Sequence, residues 1–146
     1  MAEIAEQIVA AARQMLGTPF RHQGRVPGEA LDCAGLAVLS ASTAGLPVTD
    51  RRCYGREPDG QTLERSIDEQ PCLMRIDAAD IAPGDLLLLR IKHDPQHLAI
   101  VAASQIEEDR LTMIHCCAAS GRVVEHDLTR NWHVRIVAAY RFVEIA

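Results

Sequence analysis

The chain has 146 residues, a formal net charge of −5, and aromatic side chains at only 3% of its positions. A chain of this length fits one domain, residues 1–146, and such a domain buries roughly 70% of the surface that the unfolded chain exposes. The negative charge excludes a general attraction to nucleic acid or to anionic membranes, and so few aromatic residues cannot form a broad stacking platform for bases.

The first helix is predicted over residues 2–16, where apolar residues recur at helical spacing. Gly17 is placed to end it, and Pro19 makes a helical conformation of the preceding residue unfavourable, so the chain is expected to leave in extended form. Residues 21–30, rich in glycine and charged side chains, predict an ordered loop.

A second helix is expected to begin after Asp32, whose carboxylate can accept from N–H groups of the first turn as an N-cap. The apolar residues that follow indicate a largely buried helix that ends at Gly45. The next segment is polar, and only a helical turn over residues 61–67 is expected there.

After Pro71 the apolar residues come in short runs separated by turn residues. These runs predict six strands, at residues 72–76, 85–91, 97–103, 111–116, 123–126 and 134–143. Consecutive short strands with tight turns predict an antiparallel sheet. Helices followed by strands therefore indicate an α+β domain in which the N-terminal helices pack on the sheet.

Cys33 stands where the polar loop becomes the apolar second helix. The unpaired N–H groups and the dipole of a helix N-terminus favour a thiolate at this position. A single cysteine at a helix start is more often a small buried apolar residue, so a catalytic role requires a base nearby.

His97 opens a predicted strand, and His115 ends the next one. Partners in a hairpin are neighbours in the sheet, so the two imidazoles are expected to lie close together at one end. If the Cys33 helix crosses that end, Cys33 and His97 form a thiolate–imidazolium pair and His115 sets the tautomer of His97. These residues predict acyl transfer by attack on an amide carbonyl, with the Cys33 backbone N–H and a second donor binding the oxyanion.

A zinc-binding module is the competing interpretation, because several residues are of types that bind zinc: His93, His97, His115, Cys116 and Cys117. The spacing argues against it, since no Cys-x-x-Cys pair occurs and the two histidines at 93 and 97 flank an Asp-Pro turn. We therefore expect neither metal nor cofactor. The remaining side chains of these types are expected to have structural or surface roles: Cys53, Cys72, Cys116, Cys117, His126 and His133.

Five cysteines without a repeated short spacing do not predict a disulfide framework. The sequence shows no signal-peptide pattern, and no apolar stretch approaches the ~20 residues that span a bilayer. We therefore expect a protein that is cytoplasmic as synthesised, with no membrane partner.

The order and spacing of these motifs resemble the NlpC/p-sixty family of papain-like cysteine peptidases. The matching segments are LGTPFR (16–21), DCAGL (32–36), PGDL (83–86), HLAI (97–100), IH (114–115) and the region of Trp132. The resemblance implies that Cys33 is the nucleophile, His97 the general base and His115 the third polar residue. It implies a peptidoglycan stem peptide as substrate, cut next to D-glutamate or diaminopimelate.

The segment GTPFRHQG (17–24) is similar to tail-associated cell-wall peptidases of phages and gene-transfer particles, which implies phage-tail proteins as partners and a location on the virion tail. Phe20 stands where the family usually has a tyrosine beside the nucleophile, so a different second oxyanion donor is needed. His22 and Gln23 are the candidates, with Phe20 and Asp32 also expected at the substrate. The alternative is a non-catalytic or weakly active structural adaptor of a tail assembly on the same fold.

Overall fold

The computed structural model describes residues 2–52, 54–56 and 59–145, and three of its helices lie where the sequence predicts them: α1 (Ala2–Gln14), α2 (Cys33–Thr43) and α3 (Thr62–Asp68). A short fourth helix, α4 (Arg130–His133), was not predicted. Gly17 follows α1 with φ +87°, a backbone conformation that glycine adopts without strain. No helix in the described ranges has both the length and the apolar character needed to cross a membrane.

The strands confirm the six that were predicted, with ends that differ by no more than two residues. Two short strands precede them, β1 (Arg25–Val26) and β2 (Ala30–Leu31), and the six are β3 (Leu73–Ile76), β4 (Leu86–Arg90), β5 (Pro95–Ala103), β6 (Leu111–Cys116), β7 (Val123–Asp127) and β8 (Ile136–Phe142). The six form one antiparallel sheet in the order β3-β8-β4-β5-β6-β7. The predicted α+β class is therefore confirmed.

The predicted loop at residues 21–30 is more regular than expected, because β1 and β2 pair within it as a small antiparallel hairpin. Such a two-residue pairing leaves no alternating apolar pattern in the sequence, so the loop prediction was wrong at this point. The hairpin leads directly to Asp32 and the start of α2.

Strand β4 is buried on both faces, which explains its run of four leucines. Leu86 and Leu88 belong to the larger core cluster, which includes residues of α1 and α2. Leu87 and Leu89 belong to a smaller cluster on the opposite face, against which Trp132 packs. The central strand is thus a rigid platform for the strands beside it.

A glycine lets α2 approach the loop before it. A Cβ atom on Gly35 would lie 2.3 Å from the carbonyl oxygen of Gly24, closer than any side-chain carbon can come. Asp32 caps the helix as predicted, accepting from the Gly35 N–H at 2.8 Å. The start of α2, and with it Cys33, is therefore fixed against the loop.

Candidate active site

Cys33 is the first residue of α2 and is partly exposed at one wall of an open cleft. The cleft has an empty volume of about 1300 Å³, and its opposite wall holds His97 and His115. The backbone N–H groups of Ala34 and Leu98 lie close enough to the Cys33 thiol to affect its pKa. Since Leu98 follows His97 on β5, the predicted nucleophile and the predicted base share one cleft.

The histidines meet because of the register between strands. Ala99 on β5 is the direct partner of His115 on β6, so His97 is two residues away on the same face of the sheet. Long side chains can reach each other along such a diagonal, and here Nε2 of His97 and Nδ1 of His115 are hydrogen-bonded at 2.8 Å. Both side chains are buried, at 3% and 2% exposure.

A third imidazole, His126, continues this series, although the sequence predicted a surface role for it. Val124 on β7 is the partner of His115, so His126 is again the diagonal neighbour. Nε2 of His115 is 2.7 Å from Nε2 of His126, whose Nδ1 is 3.0 Å from the backbone oxygen of Asp127. Val124 and His126 share one face of β7 because side chains alternate along a strand, and the register with β6 then brings His126 to His115.

Trp132 packs against all three imidazole rings. The ring centroids of His97, His115 and His126 lie 6.4, 5.1 and 5.7 Å from that of the indole. An apolar ring at these distances limits the access of water to the imidazoles and restricts their rotation.

Burial in this cleft disfavours the charged forms of both predicted catalytic groups. It raises the pKa of the Cys33 thiol to about 12, with the Asp32 carboxylate adding to the rise. Burial, with a smaller contribution from His115, lowers the pKa of His97 to about 3. Both shifts act against the expected thiolate–imidazolium pair and favour a neutral thiol and a neutral imidazole.

The wall around α2 is held by an ion pair that the sequence did not predict. Arg25 donates to Asp32 at 2.9 Å, and the side chains of both are only 6% exposed. The hydroxyl of Tyr54 donates to the other Asp32 oxygen and accepts a hydrogen bond from Arg25. Burial is the main cause that raises the pKa of the Tyr54 hydroxyl, and the hydrogen bond to Asp32 raises it further.

The three predicted residues upstream of Asp32 have different positions. Phe20 and His22 line the cleft, and the His22 ring meets that of Tyr54 edge to face at 5.5 Å. The side-chain amide of Gln23 instead donates to the backbone oxygens of Arg52 and Tyr54. Gln23 therefore holds this loop in place. Because its side-chain amide already donates to two backbone oxygens, it is a poor candidate for the oxyanion donor.

Several cysteines and histidines have the structural roles that were predicted. Cys72 and Cys116 are buried, and Cys116 donates to the backbone oxygen of Leu31. His133 is exposed, as predicted, and His93, a residue of the competing zinc interpretation, is exposed as well. Cys53 lies outside the described residues.

One group of residues in the described ranges could approach a metal ion. The ligand atoms of His97, His115 and Cys117 lie within 4.8 Å of one another, a convergence that sequence spacing did not suggest. The nitrogens that link the two histidines are already hydrogen-bonded to each other, and an ion between them would break that bond. The hydrogen bond accounts for their proximity, so we assign no metal here.

A cysteine at the start of a helix, facing histidines on the adjoining antiparallel sheet, defines the papain-like α+β arrangement. No family model matches the sequence, and no curated protein matches it. Solved structures do match: an NlpC/p-sixty family protein similar to a lipoprotein from Staphylococcus aureus has a TM-score of 0.68 at 20% identity, over 99% of this chain and 43% of that one.

Two further structures extend this similarity. NlpC1 from Trichomonas vaginalis gives a TM-score of 0.64 at 16% identity, over 94% of this chain and 44% of that one. The NlpC/p-sixty domain of the peptidoglycan hydrolase SagA gives a TM-score of 0.60 at 20% identity, over 97% of this chain and 98% of that one. The chain spans less than half of the first two proteins and nearly all of the SagA domain. It therefore has the fold of NlpC/p-sixty domains, as the sequence motifs predicted.

Proposed function

We propose that this protein is an NlpC/p-sixty cysteine peptidase that hydrolyses amide bonds in peptidoglycan stem peptides. The observation that carries the proposal is the arrangement of the cleft. Cys33 begins α2 on one wall, and on the other His97 uses Nε2 to bond His115. Among the described residues Nδ1 of His97 has no hydrogen-bond partner, so this atom is available as the base.

The neutral resting pair determines how the reaction begins. As the Cys33 sulfur attacks the substrate carbonyl carbon, its proton passes to Nδ1 of His97, so charge develops only when the oxyanion forms. The Cys33 backbone N–H, at the start of α2, is placed to donate to that oxyanion. His22 is the remaining predicted candidate for the second donor, because it lines the cleft.

The second half of the reaction returns the enzyme to its starting state. The proton on His97 goes to the leaving amine as the C–N bond breaks, which leaves a thioester on Cys33. His97 then takes a proton from water, the hydroxide oxygen adds to the thioester carbon, and the C–S bond breaks. The proton returns to sulfur, and the carboxylic acid is released.

The substrate class is supported by the sequence resemblance and by the proteins that share the fold. SagA is described as a peptidoglycan hydrolase, and Ly7917 was solved with "the hydrolyzing product of MDP" at a TM-score of 0.58, 14% identity and coverage of 94% of this chain and 62% of that one. The resemblance further implies cleavage next to D-glutamate or diaminopimelate.

Digestion of purified muropeptides tests this function. We expect wild-type protein to produce new fragments by mass spectrometry and Cys33→Ala to produce none, because no other group replaces the sulfur nucleophile. Cys117→Ser is the matched control, since Cys117 lies in the same cleft but has no role in the reaction. If the wild type and Cys33→Ala both leave the muropeptides intact, the adaptor alternative is favoured.

We also propose a phage-tail association, on the resemblance of residues 17–24 alone. Mass spectrometry of purified tail particles is expected to detect this chain. Particles that lack the chain would remove the tail assignment without affecting the peptidase proposal.

A further inference from the structure

The hydrogen bonds of the three histidines have one consistent set of donors when all three rings are neutral. The backbone oxygen of Asp127 can only accept, so Nδ1 of His126 carries the proton in their 3.0 Å hydrogen bond. A neutral imidazole has one N–H, and Nε2 of His126 is therefore a bare acceptor.

The same reasoning then applies to His115 and to His97, the proposed base. Nε2 of His126 accepts from Nε2–H of His115, so Nδ1 of His115 is bare. That bare nitrogen accepts from Nε2–H of His97 at 2.8 Å. Nδ1 of His97 is then unprotonated, and this is the atom that must take the proton of Cys33.

We propose that His126 is a positioning residue which, acting through His115, holds His97 in the tautomer with a bare Nδ1. The catalytic importance of this tautomer rests on the proposed peptidase function, whereas the tautomer itself does not. The opposite arrangement would require His126 to present an N–H at Nε2. Each ring would then reverse, and Nδ1 of His97 would carry a proton and could not act as the base.

The surroundings support a fixed rather than a fluctuating arrangement. His97 and His115 are almost fully buried, so water does not readily replace a missing partner on either ring. Trp132 packs against all three rings. The diagonal register of β5, β6 and β7 sets the distances, so the direction of the hydrogen bonds is decided at the His126 end.

Nuclear magnetic resonance of the imidazole nitrogens tests the tautomers directly, because protonated and bare ring nitrogens have well-separated ¹⁵N shifts. In the wild type at mildly alkaline pH we expect His97 and His115 to carry protons on Nε2, and His126 on Nδ1. A proton on Nδ1 of His97 would overturn the proposal. This measurement needs no substrate, so it remains decisive even if muropeptide hydrolysis is not detected.

Three variants separate positioning from a general structural role. His126→Phe keeps an aromatic ring but offers no acceptor, so we expect mixed tautomers at His97 and a roughly tenfold loss of kcat/KM. His126→Glu offers an acceptor only, so we expect it to restore the wild-type tautomer and most of the activity. His133→Phe is the control, because His133 is exposed on α4 and is not among the residues that line the cleft.

The variants also define the contrary results. If His126→Phe keeps both the wild-type ring shifts and the wild-type kcat/KM, His126 does not set the tautomer. If His126→Glu folds but remains as impaired as His126→Phe, acceptance of a hydrogen bond is not what His126 contributes, and the proposal is again overturned.

Discussion

The two walls of the cleft are built in different ways. The strand wall, formed by His97, His115 and His126, consists of imidazole rings linked by hydrogen bonds across three neighbouring strands. The loop wall, where Asp32 and Tyr54 line the cleft and Arg25 pairs with both behind them, consists of a buried ion pair with a tyrosine bridging it. From this difference we assign proton transfer to the strand wall and the placement of α2 to the loop wall.

Replacement of the base should give the largest effect and affect activity far more than stability. His97→Gln keeps a side chain of similar size that can still donate to His115, but it cannot take the proton of Cys33. We expect kcat/KM on a muropeptide to fall by roughly 10³-fold. The free energy of unfolding, measured with urea, should change by less than about 1 kcal/mol. A large loss of stability with retained turnover would reverse the assignment of the strand wall.

The loop wall should show the opposite behaviour. Asp32→Asn leaves the Arg25 guanidinium buried without the nearer of its two carboxylate partners, so we expect the free energy of unfolding to fall by about 3 kcal/mol. Asp50→Asn is the matched control, because Asp50 also pairs with Arg25 but is 28% exposed, and a loss below about 1 kcal/mol is expected. Equal losses in the two variants would show that the buried pair does not anchor α2.

Acid should destabilise the protein through the strand wall. Burial lowers the pKa of His97 to about 3 and that of His115 to about 4, from an ordinary value of 6.5. The unfolded chain therefore binds more protons between about pH 4 and 6.5, and stability is lost as the pH falls through this window, on the order of 1 kcal/mol per pH unit for each histidine. In urea unfolding across this range, His115→Gln should have a shallower dependence than the wild type.

His133→Gln provides the reference for that comparison, because its side chain is exposed. Its stability should follow the wild-type curve. Parallel curves for all three proteins would mean that the buried histidines do not control the acid sensitivity.

The smallest expected effect concerns the tyrosine of the loop wall. Tyr54→Phe removes one hydrogen bond to Asp32, so we expect a loss of about 1 kcal/mol in the free energy of unfolding. Tyr140→Phe should lose a similar amount, since Tyr140 likewise donates to a carboxylate, Asp68, and accepts from Arg75. We expect kcat/KM to fall less than about fivefold in either variant.

A larger effect on turnover would change the comparison. A loss of roughly 10²-fold confined to Tyr54→Phe is the size that follows removal of an oxyanion donor. It would show that the Tyr54 hydroxyl replaces the one missing at Phe20, and the loop wall would then take part in the chemistry.

The features that could be predicted from the sequence are those that depend on regular secondary structure. The six strands, the cap at Asp32 and the meeting of His97 with His115 follow from local patterns and from hairpin pairing. The contact of His126 was missed because it depends on the register between β6 and β7, which the sequence does not specify to the residue. Arg25 and Tyr54 were missed because loop conformation brings them to Asp32, with no periodicity to indicate it.

The resting charge state could not be predicted either, because burial decides it. A helix N-terminus favours a thiolate, but desolvation of Cys33 and the adjacent Asp32 carboxylate act in the opposite direction and dominate. The position of Cys33 in the sequence indicates the effect of the helix N-terminus, but it does not indicate how deeply the thiol is buried.

Trapping the acyl-enzyme tests the central claim, nucleophilic attack by Cys33, most directly. Wild-type protein is mixed with a muropeptide substrate, quenched in acid within the first turnover, and digested for mass spectrometry. We predict that the peptide containing Cys33 gains the mass of the acyl fragment, that the peptide containing Cys117 does not, and that Cys33→Ala gains nothing. Substrate hydrolysis that continues in Cys33→Ala would contradict the account.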